Sequence, residues 1–396
     1  MSKVVVIGAG ASGMVAAIKA SYNNSVVLLD SNTKCGKKLL LTGNGRCNYW
    51  NSDICVNNYN TDNISNLNKI LENKDLVLEF LTNLGLYPKI KNGYYYPNSN
   101  QASSVCEILC KELENRNVNI LYNCKVSNIT KINDNFVIKS NLDDIVCDKV
   151  IVATGGMSYP KTGSDGIGYK ILEKYHTINK TLPALVPLTV EGNFLKDWNN
   201  LRVDAKLSLY INDNLIDIET GEVQLTDYGI SGIPTFNLSS KVVRNLNTDN
   251  SVNIHIDFLP EVSDVYSFLN NRNKDNSTIE SIFESVLPYQ LVFVLLDKAS
   301  INKDDKWNNI SDESKNKLIS LIKEFNLNIT GYLDFDRSQV TTGGISLSEI
   351  DPNTMESLKV KDLYIVGELL DVDGKCGGFN LAFSFITGYL AGSSLC

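Results

Sequence analysis

Lys3-Val4-Val5-Val6-Ile7-Gly8-Ala9-Gly10-Ala11-Ser12-Gly13, with Asp30 after it, is the stretch whose reading decides the fold. Lys3–Ile7 is a short apolar strand, Met14–Ala20 suits a helix, and Ser25–Leu29 is a second strand that delivers Asp30 at its end. This order predicts a β-α-β unit that binds a dinucleotide. Gly8 permits the tight turn, Gly10 lets the backbone approach a pyrophosphate, and Gly13 lets the helix pack closely on the strand. Ala11 and Ser12 open a helix whose N-terminus offers free N–H groups and partial positive charge to phosphates. Asp30 is placed to accept hydrogen bonds from an adenosine ribose that carries no 2′-phosphate.

The rest of the chain suits a large globular protein. It has 396 residues, 43% of them hydrophobic and 21% charged, enough for two or three domains. A net charge of −8 argues against bulk attraction to nucleic acid or anionic membrane. The stretch Ser31–Ser52 is an exception, with Lys34, Lys37, Lys38 and Arg46 and no acid. These charges read first as offsets to a bound pyrophosphate, and second as a local contact for RNA. Nine cysteines lie without CxxC or zinc spacing, which fits reduced thiols in a cytoplasm, with Cys106 and Cys110 as core neighbours one helical turn apart. No run reaches the ~18 apolar residues of a membrane span. The two histidines, His176 and His255, read as structural, so neither a histidine-based triad nor a histidine-rich metal site is expected.

Periodicity divides the chain. Ile64–Leu86 and Ser103–Arg116 read as helical, and Val118–Tyr122, Val126–Ile132, Phe136–Lys139 and Lys149–Val152 as strands. From Leu188 to Phe258 the period is mostly two. Leu259-Pro260 then opens a helical stretch to about Phe325, with an Asn/Asp-rich break at Asn270–Asn276. Leu363–Val366 and Gly377–Leu390 return to strand and helix. The expected domains are a nucleotide domain at 1–188 and 330–396, a β-rich insert at 189–258 and 326–340, and a helical part at 259–325.

Three further segments argue that the dinucleotide is FAD. Val150–Val152 ends in the small residues Ala153-Thr154-Gly155-Gly156, which fit against a flavin. Leu363–Val366 leads to Gly367-Glu368, an acid placed for the ribityl chain, and Gly377-Gly378 starts a helix whose positive end can face the flavin pyrimidine ring. Lys38-Leu39-Leu40-Leu41-Thr42-Gly43-Asn44-Gly45-Arg46-Cys47-Asn48 makes a plausible wall for an isoalloxazine ring. In it Arg46 can hold an anionic or carbonyl group, and Cys47 can exchange a proton near flavin N5, a buried inert thiol being the plainer reading. Tyr96, in Tyr94-Tyr95-Tyr96-Pro97, is a second candidate proton donor, with plain packing as its alternative. No second GxGxxG is present, so no dedicated NAD(P)H domain is visible.

In these motifs the chain resembles the YhiN/BaiN-like flavoproteins, also described as the aminoacetone-oxidase family of FAD-binding enzymes. The resemblance runs through Lys38–Asn48, Thr154-Gly155-Gly156-Met157-Ser158-Tyr159-Pro160 and Pro183-Ala184-Leu185-Val186-Pro187-Leu188. It continues through Tyr228-Gly229-Ile230-Ser231-Gly232, Thr342-Gly343-Gly344-Ile345, Glu349–Ser357, Gly367–Gly374 and Gly377-Gly378-Phe379-Asn380. It implies an α/β fold: a Rossmann-like FAD-binding domain with an inserted β-barrel-like domain and a helical cap. It implies FAD contacts from the Gly8 fingerprint, Asp30, the Lys38–Asn48 loop, Val126, Ala153–Gly156, Gly367, Glu368, Asp371, Gly377, Gly378, Asn380, Leu381 and Ala382. Three positions depart from the family pattern: Asp227 where histidine is usual, Cys376 where a small or hydroxyl residue is common, and Trp50 where threonine is frequent.

Three functions follow. The favoured one is an FAD-dependent reductase of an electron-poor C=C bond, in a steroid or bile-acid enone or in a uracil of ribosomal RNA, with NAD(P)H as electron donor. The second is an amine or amino-acid oxidase of the aminoacetone type that makes hydrogen peroxide, with Arg46 pairing a substrate carboxylate. The third is a flavin-binding protein without turnover. A small-molecule substrate is expected ahead of ribosomal RNA, with no membrane partner and no reading of oligomeric state.

Overall fold

The computed structural model describes residues 1–248, 250–275 and 277–396. Asn276, the last residue of the Asn/Asp-rich break, lies outside the described residues. The chain divides into two units, Met1–Pro183 with Ser338–Cys396, and Ala184–Arg337.

The first unit is built on a five-stranded sheet. Its strands lie in the order Leu363–Ile365, Lys149–Val152, Lys3–Ile7, Ser25–Leu29 and Asn119–Leu121, and every pairing is parallel. The central strands are near-continuous runs of buried Val, Ile and Leu, the pattern of a sheet covered on both faces. Register does the functional work. Ile7 pairs with both Leu29 and Val152, and Val152 pairs with Ile365, so four strands end level. The chain therefore emerges at Gly8, Asp30, Ala153 and Val366 along one edge, where open α/β sheets bind their ligands.

Helix Ala11–Ala20 packs on the C-terminal helix Phe379–Ser393. The approach is so close that a Cβ at Gly388 would lie 2.3 Å from the Ser12 carbonyl oxygen. The stretch read as one helix over Ile64–Leu86 is two, Ile64–Leu71 and Lys74–Asn83. Glu72 and Asn73 separate them, and Asn73 turns its amide back onto the Lys69 and Ile70 carbonyls. Small sheets flank the core: Trp50–Asn51, Tyr94–Pro97 and Pro88–Lys91 in one, and Tyr59–Thr61 with Val372–Gly374 in another.

The second unit is a closed barrel of Leu188–Val190, Gly229–Gly232, Asn214–Leu225, Leu201–Ile211, Val252–Asp257 and Phe325–Tyr332. Helices Val265–Arg272, Ile279–Phe283, Tyr289–Ala299 and Asp312–Lys323 follow Val252–Asp257. Their apolar faces join Trp198, Phe258, Phe283, Trp307 and Phe325 in one core. One element departs from the period-two reading of Leu188–Phe258. Ile233–Leu246 is a helix, started by Pro234 in its first turn, with Leu238, Val242 and Val243 buried on one face.

His255 stacks on Tyr210, ring centroids 4.4 Å apart. His176 forms a relay whose geometry composition does not suggest: Nδ1 lies 2.9 Å from Glu349 and Nε2 3.1 Å from the Ser357 hydroxyl. Ser357 is buried, and its Oγ accepts the N–H groups of Lys359 and Val360, so this Ser–His–Glu chain is a latch between segments. All nine cysteines are free thiols. Among the described residues, no helix is long and apolar enough to cross a membrane.

Candidate cofactor and active site

The level strand ends assemble the first half of the site. Gly8 has φ +103°, and a Cβ there would stand 2.4 Å from the Ala153 carbonyl oxygen. A Cβ on Gly13 would overlap the Gly8 oxygen at 1.8 Å, so helix and turn meet only because both residues are glycine. Gly10 is the opposite case. It caps helix Ala11–Ala20 without a side-chain cap, and nothing lies within 4 Å of where its Cβ would be. Open space therefore faces the uncapped N–H groups of the first turn, a cradle that suits a pyrophosphate.

Asp30 closes this half. Its Oδ2 accepts the Ala9 N–H at 2.7 Å, and its Oδ1 accepts the Asn32 N–H at 2.7 Å and the Asn32 amide at 2.9 Å. A carboxylate has about four acceptor sites. Three are filled by the chain, and the one left for a ribose hydroxyl is on Oδ2. Val126 comes to the same end, because the Cys124 N–H donates to the Asp30 carbonyl.

The second half joins residues far apart in sequence. Lys38 Nζ lies 2.7 Å from Glu368 Oε2, and Glu368 Oε1 accepts the Thr341 N–H at 2.9 Å. Thr341 Oγ1 in turn accepts the Met157 N–H at 2.8 Å, against the Thr154–Gly156 turn. Thr154 Oγ1 in that turn is buried with no hydrogen-bond partner. Gly378, with φ +94°, caps the C-terminal helix without a side-chain cap. The Gly377 oxygen takes the Asn51 amide at 2.8 Å, and a Cβ on Gly377 would meet the Tyr94 ring at 2.5 Å. Asn380 exchanges two hydrogen bonds with the Gly374 backbone, and Leu381 stays partly exposed beside it. These two helix N-termini, the Asp30 carboxylate and the small-residue turn fit FAD.

The Lys38–Asn48 loop is the most distorted backbone of the site. Leu39–Gly45 begins as a helical turn that breaks at Thr42, after which Gly43, Asn44, Gly45 and Cys47 all have positive φ. The result exposes Leu41, Gly43, Gly45 and Arg46. Tyr96 faces the same loop, 3.9 Å from the Cβ position of Gly43 and near enough for the Arg46 charge to act on its phenol. Burial raises the Tyr96 pKa, Tyr94 adds to the rise, and Arg46 opposes it.

Three of the expected contact residues have buried side chains. Cys47 is 0% exposed, because its φ of +58° turns the residue inward after the Cys47 N–H bonds to Thr42 O. Burial pushes its thiol up to about 12. It packs in the core and presents nothing to a bound molecule. Asp371 is 1% exposed, its carboxylate taken by the Gly343 N–H and the Asn179 amide. Ala382 is likewise fully buried in the C-terminal helix, with its N–H on Gly378 O. Asn32, Asn51 and Thr341 are the residues that local spacing did not single out, although Thr342-Gly343-Gly344 beside Thr341 was a recognisable motif.

Comparison with known proteins identifies the family. Residues 2–394 match the family described as HI0933-like protein Rossmann domain. A 3-dehydro-bile acid delta(4,6)-reductase of Clostridium scindens is 36% identical over 99% of this chain and 98% of its own length. A ribosomal RNA dihydrouridine synthase of Escherichia coli is 28% identical, over 99% and 97%. Among solved structures, a flavocytochrome c3 fumarate reductase in an open conformation shares the fold at TM-score 0.51 and 13% identity, covering 100% of this chain and 78% of that one. The Mycobacterium smegmatis Sdh1 complex does so at TM-score 0.52 and 12%, covering 100% and 68%. A match of this extent places the chain in the HI0933-like Rossmann-domain family, as an FAD-dependent oxidoreductase.

Proposed function

We propose that the protein reduces a C=C bond conjugated to a carbonyl in a small steroid- or bile-acid-type enone, using electrons from NAD(P)H. The observation that carries this reading is the end-to-end 36% identity to a 3-dehydro-bile acid delta(4,6)-reductase. Bound FAD, once reduced, supplies the hydride for the β-carbon of the enone.

The chain's own residues supply the rest. Tyr96 is our choice of proton donor to the α-carbon. A phenol is protonated at neutral pH, the state a general acid needs, and burial of Tyr96 favours that state further. Arg46, exposed beside it, is suited to hold the substrate carbonyl or a carboxylate. Cys47 takes no part.

The ribosomal RNA reading draws on the Escherichia coli relative and on the Lys34–Arg46 charges. Two of those charges have internal duties: Lys37 on Asn32 and the Lys161 carbonyl, and Lys38 on Glu368. Together with a net charge of −8, this favours a small molecule.

The test is anaerobic mixing of the flavin-loaded protein with NADH or NADPH, followed in the visible flavin absorbance. Bleaching that a 3-oxo steroid enone reverses is the expected result. Bleaching reversed by ribosomal RNA and not by the enone would transfer the assignment to RNA. Bleaching by an amine and by neither nucleotide would overturn reduction in favour of an oxidase.

A further inference from the structure

Beside the residues that meet the cofactor stands a hydrogen-bonded bridge that cofactor recognition alone does not explain. Asn32 is its hub. Its amide nitrogen donates to Asp30 Oδ1 at 2.9 Å and to the Thr162 carbonyl at 2.9 Å. Its amide oxygen accepts from Lys37 Nζ at 3.1 Å, and the same ammonium donates to the Lys161 carbonyl at 2.7 Å. Two side chains thus tie the segment after the second strand to the turn Tyr159–Gly163, about 130 positions away in sequence.

That turn is shaped to receive them. Gly163 has φ +101°, and a Cβ there would stand 2.7 Å from the Asn32 amide nitrogen and 3.2 Å from Ser31 Oγ. Tyr159 holds φ +54°, a conformation costly for an aromatic residue, and its carbonyl is gripped by the N–H and hydroxyl of Thr162. The turn leaves the Thr154–Gly156 segment and returns to the Asp30 end, so it spans the two halves of the cradle. Exposed Tyr159, at 37%, puts it at the protein surface.

We propose that Asn32 and Lys37 are positioning residues: a clasp that holds the Tyr159–Gly163 turn onto the Asp30 end and thereby sets how long FAD stays bound. Asn32 also fixes the Asp30 carboxylate so that its remaining acceptor site faces the ribose. The inference rests on FAD as the cofactor. The clasp acts on the adenosine half and leaves the isoalloxazine surroundings, Tyr96 and Arg46, untouched.

The experiment compares FAD release from wild-type protein, N32A, K37M and K37R, by the fluorescence that appears as flavin leaves on dilution. Release is expected to speed up about tenfold in N32A and a few-fold in K37M, the scale of a hydrogen bond involving a charged group. K37R, which keeps the cation and its donors, is expected to release at the wild-type rate. The visible spectrum and midpoint potential of the flavin still bound should stay at wild-type values in all three. Equal release rates in wild type, N32A and K37M would overturn the clasp while leaving FAD as the cofactor. A shifted spectrum or potential in K37M would overturn it too, because the effect would then lie at the isoalloxazine end. K37M and K37R change an exposed side chain, so the comparison survives if N32A fails to fold. Wild-type protein that neither retains nor rebinds FAD would instead remove the cofactor assignment itself.

Discussion

The Asp30 end and the Thr42–Cys47 loop of the same cradle are built on opposite plans. At Asp30 three acceptor sites are filled by the chain, the carboxylate is buried, and its neighbours are locked by the Asn32 and Lys37 bonds. In the loop, four residues with positive φ hold the backbone in a shape that exposes Leu41, at 55%, and Arg46. The first region offers one acceptor site to a ligand of fixed structure. The second offers a large apolar side chain, a cation and a phenol to something of variable shape. On the proposed reading the first region serves the cofactor and the second the substrate, and the two are separable by mutation.

The largest effect should come from breaking the rigid side. Gly13→Val would place side-chain atoms on the Gly8 oxygen, 1.8 Å from the Cβ position, and is expected to abolish FAD binding, read as flavin content after purification. Flavin retained at the wild-type level would show that the turn is not the cofactor cradle. On the adaptable side, Tyr96→Phe should lower kcat for enone reduction about 100-fold, the usual scale for a general acid, with FAD affinity unchanged. An unchanged kcat would return Tyr96 to packing. Arg46→Met should raise KM about tenfold with a smaller change in kcat. Cys47→Ala sharpens the contrast, because the residue sits in the loop with its thiol buried. It should lower stability by about 1 kcal/mol in urea unfolding while kcat stays within about twofold of wild type. A large loss of kcat would restore the thiol to the chemistry.

The smallest effect belongs to the His176 latch. Burial lowers the His176 pKa, against the hydrogen bond and charge of Glu349. Its folded value thus lies below the unfolded ~6.5. The latch stabilisation is complete above that pH and is lost as pH falls through the folded value. Burial raises the Glu349 carboxyl, but bonds from Lys359, Thr177 and His176 outweigh it and bring it to about 2. Its share is present above ~4.5 and is lost as pH falls toward 2. His176→Gln should therefore flatten the fall of Tm as pH drops below about 6.5. An unaltered slope would assign that acid sensitivity to other groups.

What was readable in the sequence was local. The Gly8–Gly13 fingerprint, Asp30 and the strand at Lys149–Val152 depend on spacing within a few dozen residues, and each lies where that spacing put it. Thr341 reaches Met157 across 184 positions, and Asn32 reaches Thr162 across 130, through pairings that no local pattern encodes. The orientation of Cys47 was not legible for a different reason. Residue type suggested a reactive thiol, but its orientation follows from a run of positive φ that only the folded loop reveals. The helix Ile233–Leu246 was hidden among strands because Pro234, a helix starter, sits two residues after the last glycine of a strand.

The most direct test of the account is a single turnover. Protein reduced anaerobically is mixed with a 3-oxo steroid enone, the flavin colour is followed in time, and the product is identified by mass. The account predicts that colour returns as one equivalent of saturated ketone appears, and that Tyr96→Phe slows this step without changing the amount of flavin bound. Reduced flavin that stays colourless with the enone, in a protein whose oxidised flavin an amine bleaches, would contradict it.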